Sequence, residues 1–282
     1  MTKLSAELIG SIVSHAVLVD LRPSESYQQG HLANATCLPV DELEERIHEL
    51  PTKHVPINLI GSRKDLDSAG EILAKKNYQI DHSYIAEDLF WGLLAELNLL
   101  EPGNESRRLW QPNPLLEEYI DIIEQRVDGR YGLDIACGSG RDMTYLATRG
   151  WQMSGVDYIN KSLSKAKALA RRNGIDIEVN QCDVEKSPEV INEFRVDLIM
   201  VMRYLHRPLF ERIKQALKPG GIIVYQTFLE AAKFYGKPKN PNFLLREGEL
   251  KEEFEGFDII VDREDRLPDD RPLASFIAQK PR

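Results

Sequence analysis

Ten residues, Leu133 to Asp142 (LDIACGSGRD), hold the densest chemistry in the chain. An apolar run carrying Asp134 passes through Ala136 into Gly138, Ser139 and Gly140, and a helical pattern follows, so the spacing predicts a strand, a glycine turn and a helix N-terminus. Glycines let backbone N–H groups approach a ligand, and the first helical turn offers N–H donors that lack internal partners. A G-x-G pair alone is a weak signal that many plain turns share. A dinucleotide cradle needs a third glycine where this chain has Met143, so a nucleoside without a pyrophosphate fits better. Asp157, with Tyr158 after it, closes the next apolar run, and its carboxylate suits two ribose hydroxyls. Asp183, followed by Val184, closes a third and suits an adenine amino group. Any one of these acids reads equally well as a helix cap; three at successive strand ends point to one ligand.

A second group follows the apolar run Asp197 to Met202: Arg203, Tyr204 and His206. At a strand end Arg203 is placed to orient an anion, and Tyr204 or His206 to accept or relay a proton. The plain alternatives are that His206 caps the next helix and that Tyr204 only packs. The long segment Leu229 to Leu245 has the length of a lid, and its Lys233, Lys237 and Lys239 read as attractors of an anion or as solvated charges. Cys37, Cys137 and Cys182 are odd in number and not at metal-ligand spacing, so neither a disulfide framework nor a metal site is expected.

Elements must bring these groups together. The length of 282 residues suits two domains, and the break falls at Glu101 to Asn113, where prolines, asparagines and charges replace hydrophobic periodicity. The expectation is a domain over 1–100, a linker over 101–113 and a second domain over 114–282. Near-continuous apolar runs alternating with amphipathic stretches predict α/β architecture, with a doubly wound parallel sheet in the second half. Amphipathic stretches are read at Asp41 to Leu50 and Asp65 to Asn77, and a first strand at Ala16 to Val19. The net charge of −9 argues against nucleic acid and anionic membranes and favours a small-molecule partner. The N-terminus, with Glu7 and His15 among its apolar residues, lacks a leader pattern, and no run reaches membrane-spanning length, so a cytoplasmic protein is expected.

With D-x-A-C-G-S-G-R, G-V-D at 155–157, C-D-V at 182–184 and L-K-P-G-G at 217–221 in this order, the second half resembles the class I S-adenosylmethionine-dependent methyltransferases. The resemblance implies a Rossmann-like seven-stranded sheet with an antiparallel last strand. It also implies S-adenosyl-L-methionine as cofactor, held by Asp134, Ala136, Gly138, Ser139, Gly140, Asp157, Tyr158, Asp183 and Val184. Within that superfamily the segments ACGSGRD, RYLHRPLF and LREGELKEEF are similar to the tellurite-resistance branch, which acts on small molecules. That implies a thiol or a metalloid or chalcogen oxyanion as acceptor, with Arg203, Tyr204 and His206 as catalytic candidates. The competing reading is a sensor that binds the nucleoside without turnover. Amine methylation of bases is disfavoured, because Arg203-Tyr204-Leu205-His206 stands where such enzymes carry an Asn-Pro-Pro-Tyr type of segment.

The first half resembles the rhodanese family through VLVDLR at 17–22, Glu25, Tyr27, Gly30-His31, Ala35, Leu38-Pro39 and the late Trp91. That family transfers sulfur through a cysteine after its central strand; here Gly61-Ser62-Arg63-Lys64-Asp65 follows the apolar run, and a hydroxyl cannot carry a persulfide. Sulfurtransferase activity is therefore not expected. The loop backbone with Arg63 and Lys64 remains a candidate anion site, and the domain a candidate for protein docking or homodimerisation.

Overall fold

The structure, a computed structural model, describes residues 17–282, the side chain of Leu89 apart. The readings on Ala16, Glu7 and His15 lie outside the described residues. The chain forms two compact units that divide between Gln111 and Pro112.

In the first unit come β1 (Val17–Asp20), α1 (Ser24–Gln29), the two-residue β2 (His31–Leu32) and β3 (Thr36–Cys37), β4 (Ile57–Gly61), α2 (Arg63–Lys75), β5 (Ile80–Ile85), α3 (Asp88–Glu96) and β6 (Leu100–Glu101). Strands β3, β1, β4 and β5 form a parallel sheet in that order, and β2 pairs with β6. All five residues of β4 are buried, as a strand covered on both faces requires. One apolar cluster gathers Leu18, Tyr27, Ile60 and Phe90, and another Val19, Leu59, Ala69 and Leu73. The stretch Asp41 to Leu50 forms turns with a short 3-10 segment, Ile47–Glu49. Arg46 holds it by pairing with both Glu42 (2.7 Å) and Glu49 (3.0 Å).

The expected linker is in part a packed piece of this unit. Tyr27 Oη donates to the Glu105 carbonyl (2.7 Å), Thr36 Oγ1 to the Arg107 carbonyl (2.7 Å), and Leu109 and Trp110 are buried. Its polar composition masked a strap whose backbone carbonyls are the acceptors.

The second unit runs α4 (Pro114–Arg126), β7 (Tyr131–Ile135), α5 (Arg141–Thr148), β8 (Gln152–Asp157), α6 (Asn160–Arg172), β9 (Glu178–Gln181), β10 (Val196–Met202), α7 (Phe210–Ala216), β11 (Leu217–Phe228), α8 (Glu249–Glu253), β12 (Asp258–Arg266) and β13 (Pro272–Gln279). Its seven strands lie in the order β12-β13-β11-β10-β7-β8-β9, with β13 antiparallel to both neighbours. The doubly wound sheet with an antiparallel last strand is thus present. Residues 217–221 follow α7 directly and already open β11: Val196 pairs with Leu217 but Leu198 with Ile222, and Gly220 takes a φ of 77° inside that bulge. Parallel strands end together, so the C-terminal ends of β7 to β11 share one edge; antiparallel β13 brings its start there too, with Leu273 opposite Phe228. Among the described residues no helix is long and apolar enough to cross a membrane.

Candidate functional site

The order of the strands reverses at β7, with β8 on one side and β10 on the other. Helices leave opposite faces there, so a crevice opens beyond the strand ends. The turn after β7 fills its floor: Ala136, Gly138 and Gly140 have φ of 59°, 55° and 70°, in the left-handed region. At Gly140 a Cβ would stand 2.7 Å from that of Ala166, so glycine alone lets α6 pack against the turn. Gly140 opens α5 without any side-chain cap.

The acid for this turn comes from the adjacent strand. Asp157 at the end of β8 accepts from Gly138 N–H through Oδ2 (2.9 Å) and from Ile159 N–H through Oδ1 (2.8 Å). Each oxygen keeps a lone pair, so the carboxylate fixes two turns and retains acceptor capacity beside the cavity it lines. Beside it a cavity of about 220 Å³ is lined by Ala136, Val156 and Asp157, by Cys182, Asp183, Val184 and Glu185 beyond β9, and by Tyr158 and Tyr204. It brings together six of the sequence candidates: Ala136, Asp157, Tyr158, Asp183, Val184 and Tyr204. Asp134, Gly138, Ser139 and Gly140 belong to β7 and its turn and do not line that cavity.

Charge is unevenly held. Burial, reinforced by the charges of Asp142 and Asp157, raises the Asp134 carboxyl well above the usual carboxylate range. Burial also raises Asp142, against the pull of the Asn113 N–H that donates to it (2.6 Å). Asp183, bonded to Lys186 (2.8 Å), is pushed down. Tyr204 donates to Glu185 Oε1 (3.4 Å); burial and then that carboxylate push its phenol up, so it stays a proton donor at neutral pH. Arg203 and His206 lie at the end of β10, off the cavity. Arg203 has a φ of 56°, its N–H donating to the Gln226 carbonyl (2.6 Å). His206 precedes the 3-10 turn Arg207–Leu209, and its side chain makes no capping bond.

Sequence reasoning missed Glu185 and a network at the same edge. Asn113 Nδ2 donates to Gln226 Oε1 (2.8 Å), and Gln226 Nε2 to Ser275 Oγ (2.7 Å). The Asn-Pro pair at 113–114 signals a capped helix start, and Asn113 Oδ1 does accept from Leu115 N–H (2.9 Å). Nothing local ties it to residues 226 and 275.

In the first unit the position after the buried central strand is closed. Ser62 caps α2, its Oγ accepting from Asp65 N–H (3.2 Å) and donating to Asp65 Oδ2 (2.6 Å), while the Asp65 carboxylate also accepts from Ser62 N–H (3.3 Å). This capping box occupies the Ser62 and Asp65 N–H groups and sets the Asp65 carboxylate at the helix N-terminus, where it competes with any anion. Arg63 and Lys64 border an open surface with Asp67 and Glu71, which offset their charge. Cys37 is half-buried, and burial pushes its thiol up, away from thiolate.

Residues 133–221 match the methyltransferase domain family, and residues 4–85 match the rhodanese-like domain family. The chain carries a rhodanese-like domain and a methyltransferase domain. An uncharacterized protein of Schizosaccharomyces pombe is 21% identical over 93% of both chains. A ubiquinone biosynthesis O-methyltransferase of Chromobacterium violaceum is 32% identical over 48% of this chain and 60% of its own length. This chain thus spans about three-fifths of that enzyme. TehB of Haemophilus influenzae superposes with a TM-score of 0.48 at 18% identity, covering 58% of this chain and 62% of its own.

Proposed function

We propose that the protein transfers a methyl group from S-adenosylmethionine to a small-molecule acceptor in the cytoplasm. In this reading residues 1–100 form a rhodanese-like domain without sulfur transfer, available for docking or dimerisation, 101–113 a connector whose residues 105–110 pack on that domain, and 114–282 the catalytic domain. The observation that carries the reading is Asp157: it holds the glycine turn of the neighbouring strand and borders the cavity that reaches Asp183. Ribose hydroxyls fit its remaining lone pairs, adenine lies toward Asp183 and Val184 between Tyr158 and Tyr204, and the amino-acid end lies over Gly138, Ser139 and Gly140 toward Asp134. Bound there, the sulfonium supplies an electrophilic methyl group. The chain's part is to line the acceptor up with it and keep water away.

Tyr204 is held protonated and His206 lies off the cavity, which favours a nucleophile that needs no strong base. A thiol or a metalloid or chalcogen oxyanion meets that demand, because a soft anion loses charge as it takes the methyl group. Incubation with methyl-labelled S-adenosylmethionine and a panel of small thiols, selenite and tellurite tests this. Label in a methylated product is expected; binding of the donor with no transfer to any member of the panel overturns the acceptor assignment.

A further inference from the structure

At the edge where the strands end, three arginines from separate elements converge. Arg203 follows β10, Arg141 opens α5 after β7, and Arg271 precedes β13, so they stand beyond the ends of strands drawn from the run β13-β11-β10-β7. Arg271 is paired with Asp269 (2.9 Å), lies over the Phe228 ring (5.0 Å) and bonds the Lys237 carbonyl of the covering segment. The guanidinium groups of Arg141 and Arg203 have no ion pair or hydrogen bond among the described residues. Asp142, the acid adjacent to Arg141 in the chain, accepts instead from the Asn113 N–H (2.6 Å). Arg203 feels burial and the repulsion of Arg141 and Arg271 more than the attraction of Asp142 and Asp269, which depresses its pKa.

Two features make this more than a solvated surface. Arg203 takes a left-handed φ of 56°, a conformation that costs a non-glycine residue about 1–2 kcal/mol and persists at sites where it is used. Its main chain is tied to the neighbouring strand by the 2.6 Å bond from its N–H to the Gln226 carbonyl, and the Gln226 side chain is in turn bonded to Asn113 and Ser275. The segment beside these cations presents two aromatic side chains: a Cβ on Gly236 would touch the Arg271 side chain at 3.3 Å, and Phe234 and Tyr235 before it are 79% and 52% exposed.

We propose that Arg203 and Arg141, walled by Arg271, form an acceptor subsite for a carboxylate, so that the acceptor is an organic thiol bearing a carboxylate on an apolar body. A guanidinium fork receives a planar carboxylate through two parallel hydrogen bonds, which orients the rest of the molecule as well as binding it. The inference rests on the methyl-transfer reading above, since it places the acceptor beside the donor cavity.

The test is calorimetric titration of the full-length protein, with S-adenosylhomocysteine bound first, using ortho-mercaptobenzoate against thiophenol and mercaptoacetate against mercaptoethanol. Each acid is expected to bind more tightly than its neutral partner. Arg203→Met and Arg141→Met should each weaken the acids by roughly tenfold or more, the scale of a charge-assisted hydrogen bond, and leave the neutral thiols unchanged. Arg203→Lys should recover part of the loss, and S-adenosylhomocysteine affinity serves as the folding control in every variant. Acids that bind no better than neutral thiols, or variants that keep the preference, overturn the subsite while the donor reading stands. Failure of the wild-type protein to retain S-adenosylhomocysteine overturns both.

Discussion

Both units run a strand buried within a parallel sheet straight into a helix, yet the two junctions treat a ligand in opposite ways. After β4 the chain needs only Ser62 to enter α2, and Asp65 folds back to occupy the helix N-terminus. After β7 it takes five residues, three of them left-handed, to enter an uncapped α5, and the carboxylate comes from the neighbouring strand. The first junction is satisfied from within, whereas the second leaves donors and lone pairs facing a crevice. Fold class is shared; what sits on the helix N-terminus decides whether a site exists.

The largest expected effect breaks the open junction. Gly140→Ala should cost about 2–4 kcal/mol in urea unfolding, from the left-handed backbone and overlap with Ala166, and should abolish S-adenosylhomocysteine binding. A stable variant that still binds would show that the turn is not the cradle. Asp157→Asn, which keeps shape but loses an acceptor, should weaken the same ligand by roughly a hundredfold, close to 2.7 kcal/mol.

Proton linkage sharpens the contrast further. Burial shifts Asp134 toward its protonated form, and a cationic amino group arriving over Gly138 favours the ionised form, so binding should release a proton. Affinity should therefore rise with pH, by at most about tenfold per unit, from the usual carboxylate range up to the raised value, and Asp134→Asn should flatten the slope. Titration in two buffers of different ionisation enthalpy measures the proton directly. On the closed side, Ser62→Ala should cost only about 1 kcal/mol of stability, the worth of a helix cap. The smallest effect is the most telling for the first unit: Ser62→Cys should give no sulfur transfer from thiosulfate, because the Asp65 carboxylate sits against that position and opposes a thiolate there. Turnover by this variant would reopen the question.

Much of this was legible in the residues. Runs such as Val196 to Met202 and Gly221 to Phe228 are buried along nearly their whole length, and burial on both faces is what a continuous apolar string encodes. Asp157 and Asp183 could be placed at one edge because parallel strands end together. The bulge at 217–221 was hidden, since Leu-Lys-Pro-Gly-Gly reads locally as a helix stop and only the register against β10 shows a strand already begun. The Asn113–Gln226–Ser275 network and the convergence of Arg141, Arg203 and Arg271 arise between residues 49 or more apart in sequence, where no periodicity carries information. Residues 105–110 misled for a different reason: their polar composition resembled a linker, while their main chain supplies the bonds.

The central claim is that the open junction holds a sulfonium nucleoside. Titration of the full-length protein with S-adenosylhomocysteine tests it most directly. One binding site per chain, competed by S-adenosylmethionine, is the predicted result; no retention of either nucleoside by the folded protein would contradict the account.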